Sequence, residues 1–214
     1  AMDKAGVISF TCPPYHFRVV FTVAAFVARR PDDHRREVLK YLHHPAHPID
    51  MLNWIFGVPE SVMCEMSTMT NIKNDGGVAL FKYPNGMIAE ISCYFMASAA
   101  EITTEIYCAD GSVAQYYGDA VSASKPRPEG LVGLKWYKNG DADWTDSNIP
   151  SPPAHGERIK AQACPFAAFL KGERGPICSV YEARDSLRMV LACYVSAIEG
   201  RRVKLDDPAI DKIV

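Results

Sequence analysis

The sequence predicts an α+β fold: one large, mostly antiparallel sheet with helices packed on one face and the other face open. Three observations predict it. Two hairpin patterns follow one another in the middle of the chain, Val78 to Tyr83 with Met87 to Phe95 around Pro84-Asn85-Gly86, and Ile102 to Cys108 with Ser112 to Tyr117 around Ala109-Asp110-Gly111. Asn-Gly tolerates the positive φ angles of a tight turn, and strands joined by tight turns lie antiparallel. Helical periodicity, by contrast, is strong only near residues 48–56 and again after residue 155, so the strands come in a run and imply a sheet with at least one open face.

The elements follow in order. Val7-Ile8-Ser9-Phe10 and the run Phe17 to Val27 read as strands. Arg29-Arg30-Pro31 breaks the pattern, and Asp32 or Asp33 can cap a short helix carrying Val38, Leu39 and Leu42. The next helix is well bounded: Pro48 suits its first position, Asp50 then falls in the first turn, where the helix dipole favours negative charge, and Gly57 with Pro59 stops it. A strand near Ser61 to Met69 precedes the hairpins, and Leu131 to Tyr137 adds another. The polar, proline-rich stretch Ser147 to Pro153 is a loop.

Two C-terminal helices end the pattern. The first spans about Gly156 to Lys171, with Ile159, Ala163, Phe166 and Leu170 on one face and Pro165 as a kink or boundary. The second opens on a capping-box pattern, Ser179 with Glu182, carries the stripe Ala183, Leu187, Val190, Leu191, Tyr194 and Ile198, and stops at Gly200. Arg201-Arg202-Val203-Lys204-Leu205 reads as a charged edge strand.

Composition narrows the function classes. With 214 residues, 48% of them hydrophobic, the chain can bury a core without staples, as one single domain over residues 1–214 or as two small ones. A net charge of -2 gives no basic footprint for nucleic acid or an anionic membrane, and no apolar run is long enough to span a bilayer. The N-terminus lacks a signal-peptide pattern, and Ala1-Met2 reads as a tag remnant. Seven cysteines, with no C-x-x-C pair, read as reduced core residues of a cytoplasmic protein.

The richest chemistry lies in His43-His44-Pro45-Ala46-His47-Pro48-Ile49-Asp50. Imidazole is the side chain best matched to proton transfer near neutrality, which makes His47, at the mouth of a helix, a general acid/base candidate. A surface or capping histidine is the plain alternative. A metal site from His43, His44, His47 and Asp50 is a third reading, but two prolines disrupt the spacing that a helical histidine pair would need.

The pattern His47-x-x-Asp50-Met51-Leu52-x-Trp54-x-x-Gly57-x-Pro59-x-x-Val62, followed by Phe81-x-x-x-Asn85-Gly86-x-x-Ala89 and Ile106-x-x-x-Asp110-Gly111-Ser112, resembles the C-terminal domain of the Gfo/Idh/MocA family of NAD(P)-dependent oxidoreductases. The ending strengthens it: Phe169-Leu170-Lys171-Gly172, Pro176, Glu182-Ala183, Leu187, then Ala192-x-Tyr194-x-Ser196-Ala197-x-x-Gly200-Arg201-x-Val203-x-Leu205. The likeness covers about residues 40 to 205, while residues 1–40 match poorly.

The resemblance implies a glyceraldehyde-3-phosphate-dehydrogenase-like sheet domain that binds a sugar, polyol or related hydroxy compound and pairs with a second copy through its open face. It implies NAD or NADP as cofactor of the whole enzyme, held by a Rossmann domain. This chain shows no G-x-G-x-x-G fingerprint and is expected to be inactive alone, with no tight cofactor binding and no bound metal. The resemblance also implies that His47 takes the place of the family's catalytic histidine, which helps move the hydroxyl proton during hydride transfer. His43, Arg18 and Trp136 are candidate substrate contacts, with Tyr15, His16 and Trp144 nearby in the pattern, and Asp50 is a supporting or structural residue. Where the family commonly has aspartate four residues before the histidine, this chain has His43; Ser124-Lys125-Pro126 only echoes the family's Glu-Lys-Pro motif. That departure favours an alternative, a non-catalytic sensor or scaffold. A metal-dependent hydrolase built on the histidine cluster is a weaker third reading.

Overall fold

A computed structural model describes residues 18–24 as backbone and residues 45–68, 74–94, 103–116, 127–151, 153 and 155–213. Its described strands are β1 (Arg18–Ala24), β2 (Ser61–Ser67), β3 (Gly76–Lys82), β4 (Ile88–Tyr94), β5 (Thr103–Cys108), β6 (Gly111–Gln115), β7 (Leu134–Lys138), β8 (Thr145–Asp146) and β9 (Val203–Lys204). They form one sheet in the order β8-β7-β6-β5-β1-β4-β3-β2-β9. All pairings are antiparallel except β1 with β4, where Val19 pairs with Ala89 and Phe21 with Ile91. The parallel pair brings the long crossover that sequence patterning did not reveal: the chain leaves β1, builds a helix and the β2–β3 hairpin, and returns as β4. The strand expected at Val7 to Phe10 and the short helix after Asp33 lie outside the described residues.

The helices are α1 (Ala46–Phe56), α2 (His155–Ala161), α3 (Ala163–Leu170) and α4 (Val180–Glu199). The core lies between the sheet and the pair α1 and α4. Side chains that alternate along β2, β3 and β4 (Val62, Cys64, Ala79, Phe81, Ala89, Ile91 and Cys93) are buried with Ile49 and Leu52 of α1 and Met189, Val190 and Cys193 of α4. A period of two along each strand sends the intervening residues to the other face. There Leu80, Ile88 and Tyr107 are exposed, so the open face is present.

The hairpin turns form as expected. Gly111 has to be glycine, because a Cβ there would lie 2.2 Å from the Tyr137 carbonyl oxygen of the neighbouring strand. The charged edge strand also forms, β9 pairing with β2 through Lys204 and Val203. The capping box of α4 is complete: the Ser179 amide donates to Glu182 Oε2 at 2.7 Å, and the Glu182 amide donates to Ser179 Oγ at 3.2 Å.

Four expectations need correction. First, α1 begins two residues early, with Pro45 at its N-cap and Ile49 N–H donating to the Pro45 carbonyl at 2.9 Å. Pro48 is tolerated in the first turn because the N–H groups there have no intrahelical partner anyway. Asp50 consequently falls in the second turn, beyond the strongest field of the dipole. Second, the helix expected over residues 156–171 is two helices broken at Gln162. Pro165 has no N–H to give the Ala161 carbonyl, so the ladder is interrupted and restarts with Phe166 N–H to Gln162 O at 3.2 Å.

Third, the expected stripes are only partly buried. None of α3 is buried, Phe166 and Leu170 being exposed, and on α4 Leu187 and Ile198 face solvent while Ser186, Met189, Cys193 and Ser196 join Val190 and Tyr194 inside. Fourth, Cys64, Cys93 and Cys193 are core thiols but Cys164 and Cys178 are exposed. Burial pushes the Cys93 thiol up to about 12, which keeps it protonated.

Candidate functional site

The site begins with a short helix that exposes a histidine in its first turn. His47 is the second residue of α1 and is exposed, with Pro48 and Ile49 behind it buried in the core. Three residues on, Asp50 is exposed on the neighbouring turn, about 5–6 Å away between Cβ atoms on helical geometry. Trp54 follows one turn later and is 82% exposed. His47, Asp50 and Trp54 thus form a ridge along the uncovered side of α1.

The carboxylate in that ridge is tied to α4. Ser186 Oγ donates to Asp50 Oδ1 at 2.7 Å, and Asn53 Nδ2 donates to Ser186 Oγ at 3.0 Å and to the Glu182 carbonyl at 3.3 Å. The loop that enters α4 lies alongside: local desolvation and then the charges of Asp50 and Glu182 push the exposed Cys178 thiol upward, while hydrogen bonds from the Ser179 amide and hydroxyl hold the Glu182 carboxyl low.

The other candidates are distributed differently. His43, His44, Tyr15 and His16 lie outside the described residues, as does Ser124-Lys125-Pro126. Arg18 opens β1, in register with Ile88 of β4 and Tyr107 of β5. Trp136 lies on β7, paired with Val113 and Thr145, and is half-buried. Six strand spacings separate β7 from β2, roughly 29 Å of sheet. Trp136 is therefore not brought together with His47 within one copy of the chain. Among the described residues no three or more His, Cys, Asp or Glu side chains gather as a metal site, and no helix is long and apolar enough to cross a membrane.

A second polar constellation occupies the open face. Glu105 accepts hydrogen bonds from the hydroxyls of Tyr107 and Tyr116, the latter at 2.7 Å. Burial first, then the hydrogen bond and charge of Glu105, push the Tyr116 phenol up to about 12. Lys135 Nζ lies 5.6 Å from the Tyr116 ring centre and 4.6 Å from that of Trp144, which tilts against Tyr137 at 5.9 Å.

Sequence reasoning missed Ser186, Asn53 and the Glu105 cluster. One signal was present: Ser186 interrupts the apolar spacing of α4, and a polar residue on a core-facing stripe needs a partner. The Glu105 cluster had no local signal, since its members come from β5 and β7 and from the residues just after β6 and just before β8.

The fold is shared with dehydrogenase structures. It matches the WlbA dehydrogenase from Bordetella pertussis, solved in complex with NADH and UDP-GlcNAcA, with a TM-score of 0.62 and 20% identity over 87% of this chain and 53% of that one. It matches yvaA from Bacillus subtilis, a provisionally named oxidoreductase, with a TM-score of 0.67 and 16% identity over 88% and 57%. A protein from Sinorhizobium meliloti 1021, provisionally named a myo-inositol dehydrogenase, matches with a TM-score of 0.64 and 19% identity over 88% and 56%. The chain thus spans a little over half the length of these proteins. Comparison with curated proteins gives no match. Residues 40–114, which include α1 and the ridge, match the family described as the GFO/IDH/MocA C-terminal domain. The resemblance drawn from the motifs is borne out, and with it the α+β fold of that domain.

Proposed function

We propose that this chain is the substrate-binding and oligomerisation part of an NAD(P)-dependent oxidoreductase acting on a sugar, polyol or related hydroxy compound, with His47 as the group that moves the hydroxyl proton. One observation carries the reading: an exposed histidine stands in the first turn of α1, within the segment that matches the family. Imidazole there can take a proton from a bound hydroxyl and release it to water. His43 is a proposed substrate contact on the same polypeptide, whereas the register of Arg18 with Ile88 and Tyr107 puts that position on the open face, opposite α1. Trp136 would serve a substrate only at a site that includes a second copy, given its distance along the sheet.

The described residues do not fit a dinucleotide. The parallel pair β1 and β4 is connected through α1 and a hairpin, not through the glycine-rich turn and helix that cradle a pyrophosphate. Nicotinamide would be held by a separate Rossmann domain, and this chain alone is proposed to be inactive. Support for such a neighbour is exposed apolar surface on the ridge and at the start of α4: Trp54, Val180 and Tyr181. Exposed Leu80, Ile88, Tyr107 and Trp144 on the open sheet face support pairing with a second copy, and the exposed thiols of Cys164 and Cys178 suit a reducing, cytoplasmic setting. A non-catalytic sensor or scaffold is the second reading, favoured by His43 standing where the family commonly has aspartate.

The test supplies the protein together with a dinucleotide-binding domain and follows reduction of NAD+ and NADP+ at the nicotinamide absorbance with a panel of polyols and sugars. Turnover that falls by about 100-fold or more in His47→Ala is the expected result. Equal turnover in wild type and variant would remove His47 from the chemistry.

A further inference from the structure

We infer that Ser186 and Asn53 are positioning residues: together they fix the Asp50 carboxylate on the ridge beside His47 and leave its second oxygen for a ligand. The inference takes its catalytic meaning from the proton-transfer reading of His47. The direction of each hydrogen bond follows from elementary chemistry. The Glu182 carbonyl only accepts, so the Asn53 amide must turn its nitrogen toward α4, where that nitrogen lies 3.3 Å from the carbonyl.

The same nitrogen donates to Ser186 Oγ at 3.0 Å, so the serine oxygen accepts there. A hydroxyl has one proton, and the remaining neighbour is Asp50 Oδ1 at 2.7 Å, a carboxylate oxygen that accepts. The relay Asn53 to Ser186 to Asp50 therefore has a single polarity. It ends in a charge-assisted bond, the strongest kind in such a chain.

Burial gives the relay its stiffness. Ser186 is buried at the α1–α4 contact, 7% exposed, so water does not compete freely for its hydroxyl, whereas Asp50 is exposed. Only Oδ1 is engaged by the serine. An exposed aspartate on a helix samples several rotamers unless something holds it. Here a buried hydroxyl from another helix does so.

The test is the side-chain conformation of Asp50 in solution, read from its α–β proton couplings by NMR, with the amide spectrum of α4 and β2 as the control for folding. Wild type and Ser186→Thr, which keeps the hydroxyl, should show one χ1 rotamer; Ser186→Ala and Asn53→Ala should show averaged couplings. A single rotamer persisting in Ser186→Ala, or averaged couplings already in wild type, overturns the inference. Should Ser186→Ala fail to fold, Asn53→Ala decides alone, a persistent single rotamer again overturning it. No substrate or nicotinamide enters the measurement, so its failure is distinguishable from failure of the His47 reading, which turnover tests.

Discussion

Replacing Ser196 with alanine should destabilise the chain far more than the loss of one oxygen suggests. β9 pairs with β2 at Ser61 and Val62, and among the described residues no strand receives the β2 N–H groups beyond Val62 on that side. Ser196, fully buried on α4, takes over: the Cys64 amide donates to its Oγ at 2.9 Å, and the hydroxyl donates to the Arg201 carbonyl at 2.6 Å, tying β2, α4 and the turn after α4 at one point. Alanine removes both bonds, at about 1 kcal/mol each, and strands a buried backbone N–H at a further cost of about 1–3 kcal/mol, so the expected loss is roughly 3–5 kcal/mol. Urea unfolding followed by circular dichroism should show the midpoint falling with the slope unchanged. A loss below about 0.5 kcal/mol, the range of ordinary surface substitutions, would mean that the hydroxyl does not complete the strand edge.

Other consequences follow from the same packing. Leu52→Ala empties a fully buried position between α1 and the core and should cost about 2–5 kcal/mol in the same unfolding assay. Ser179→Ala removes the cap of α4 and should cost about 1 kcal/mol. Because the Ser179 hydrogen bonds depress the folded-state acidity constant of Glu182, that carboxylate stabilises the fold at pH above its unfolded value and stops doing so as pH falls through the folded one. The stability gap between wild type and Glu182→Gln should therefore close below about pH 4, and a gap that widens on acidification would reverse the sign of the argument. Ile88→Glu, at a position 46% exposed on the open sheet face, should shift sedimentation toward monomer if that face pairs with a second copy, whereas unchanged sedimentation of a dimer would place the interface elsewhere.

How much could be read from the sequence depended on the range of the signal. The Asn85-Gly86 turn, the Ser179–Glu182 box and the stop at Gly57 are local, set by φ preferences and by groups within a few residues, and each forms where the pattern placed it. The break at Gln162 was half legible: Pro165 announced a boundary, but a missing N–H acts one turn upstream of the proline itself. Asp50 was misplaced by the same kind of small offset, because Pro48 fits any position of a first turn. Its partner Ser186 is 136 residues away, a distance over which periodicity carries no information. The exposure of Phe166 and Leu170 was likewise invisible, since an apolar stripe shows that a helix has a face to bury but not whether the surface that buries it belongs to the same domain.

On the proposed function, this chain is the substrate side of a nicotinamide-dependent enzyme and does not itself hold the dinucleotide. Titration of the purified chain with NADH and NADPH, followed by nicotinamide fluorescence, tests it most directly. No saturable change with either is the expected result. Tight, stoichiometric binding would contradict it and would make the chain a dinucleotide-binding protein in its own right.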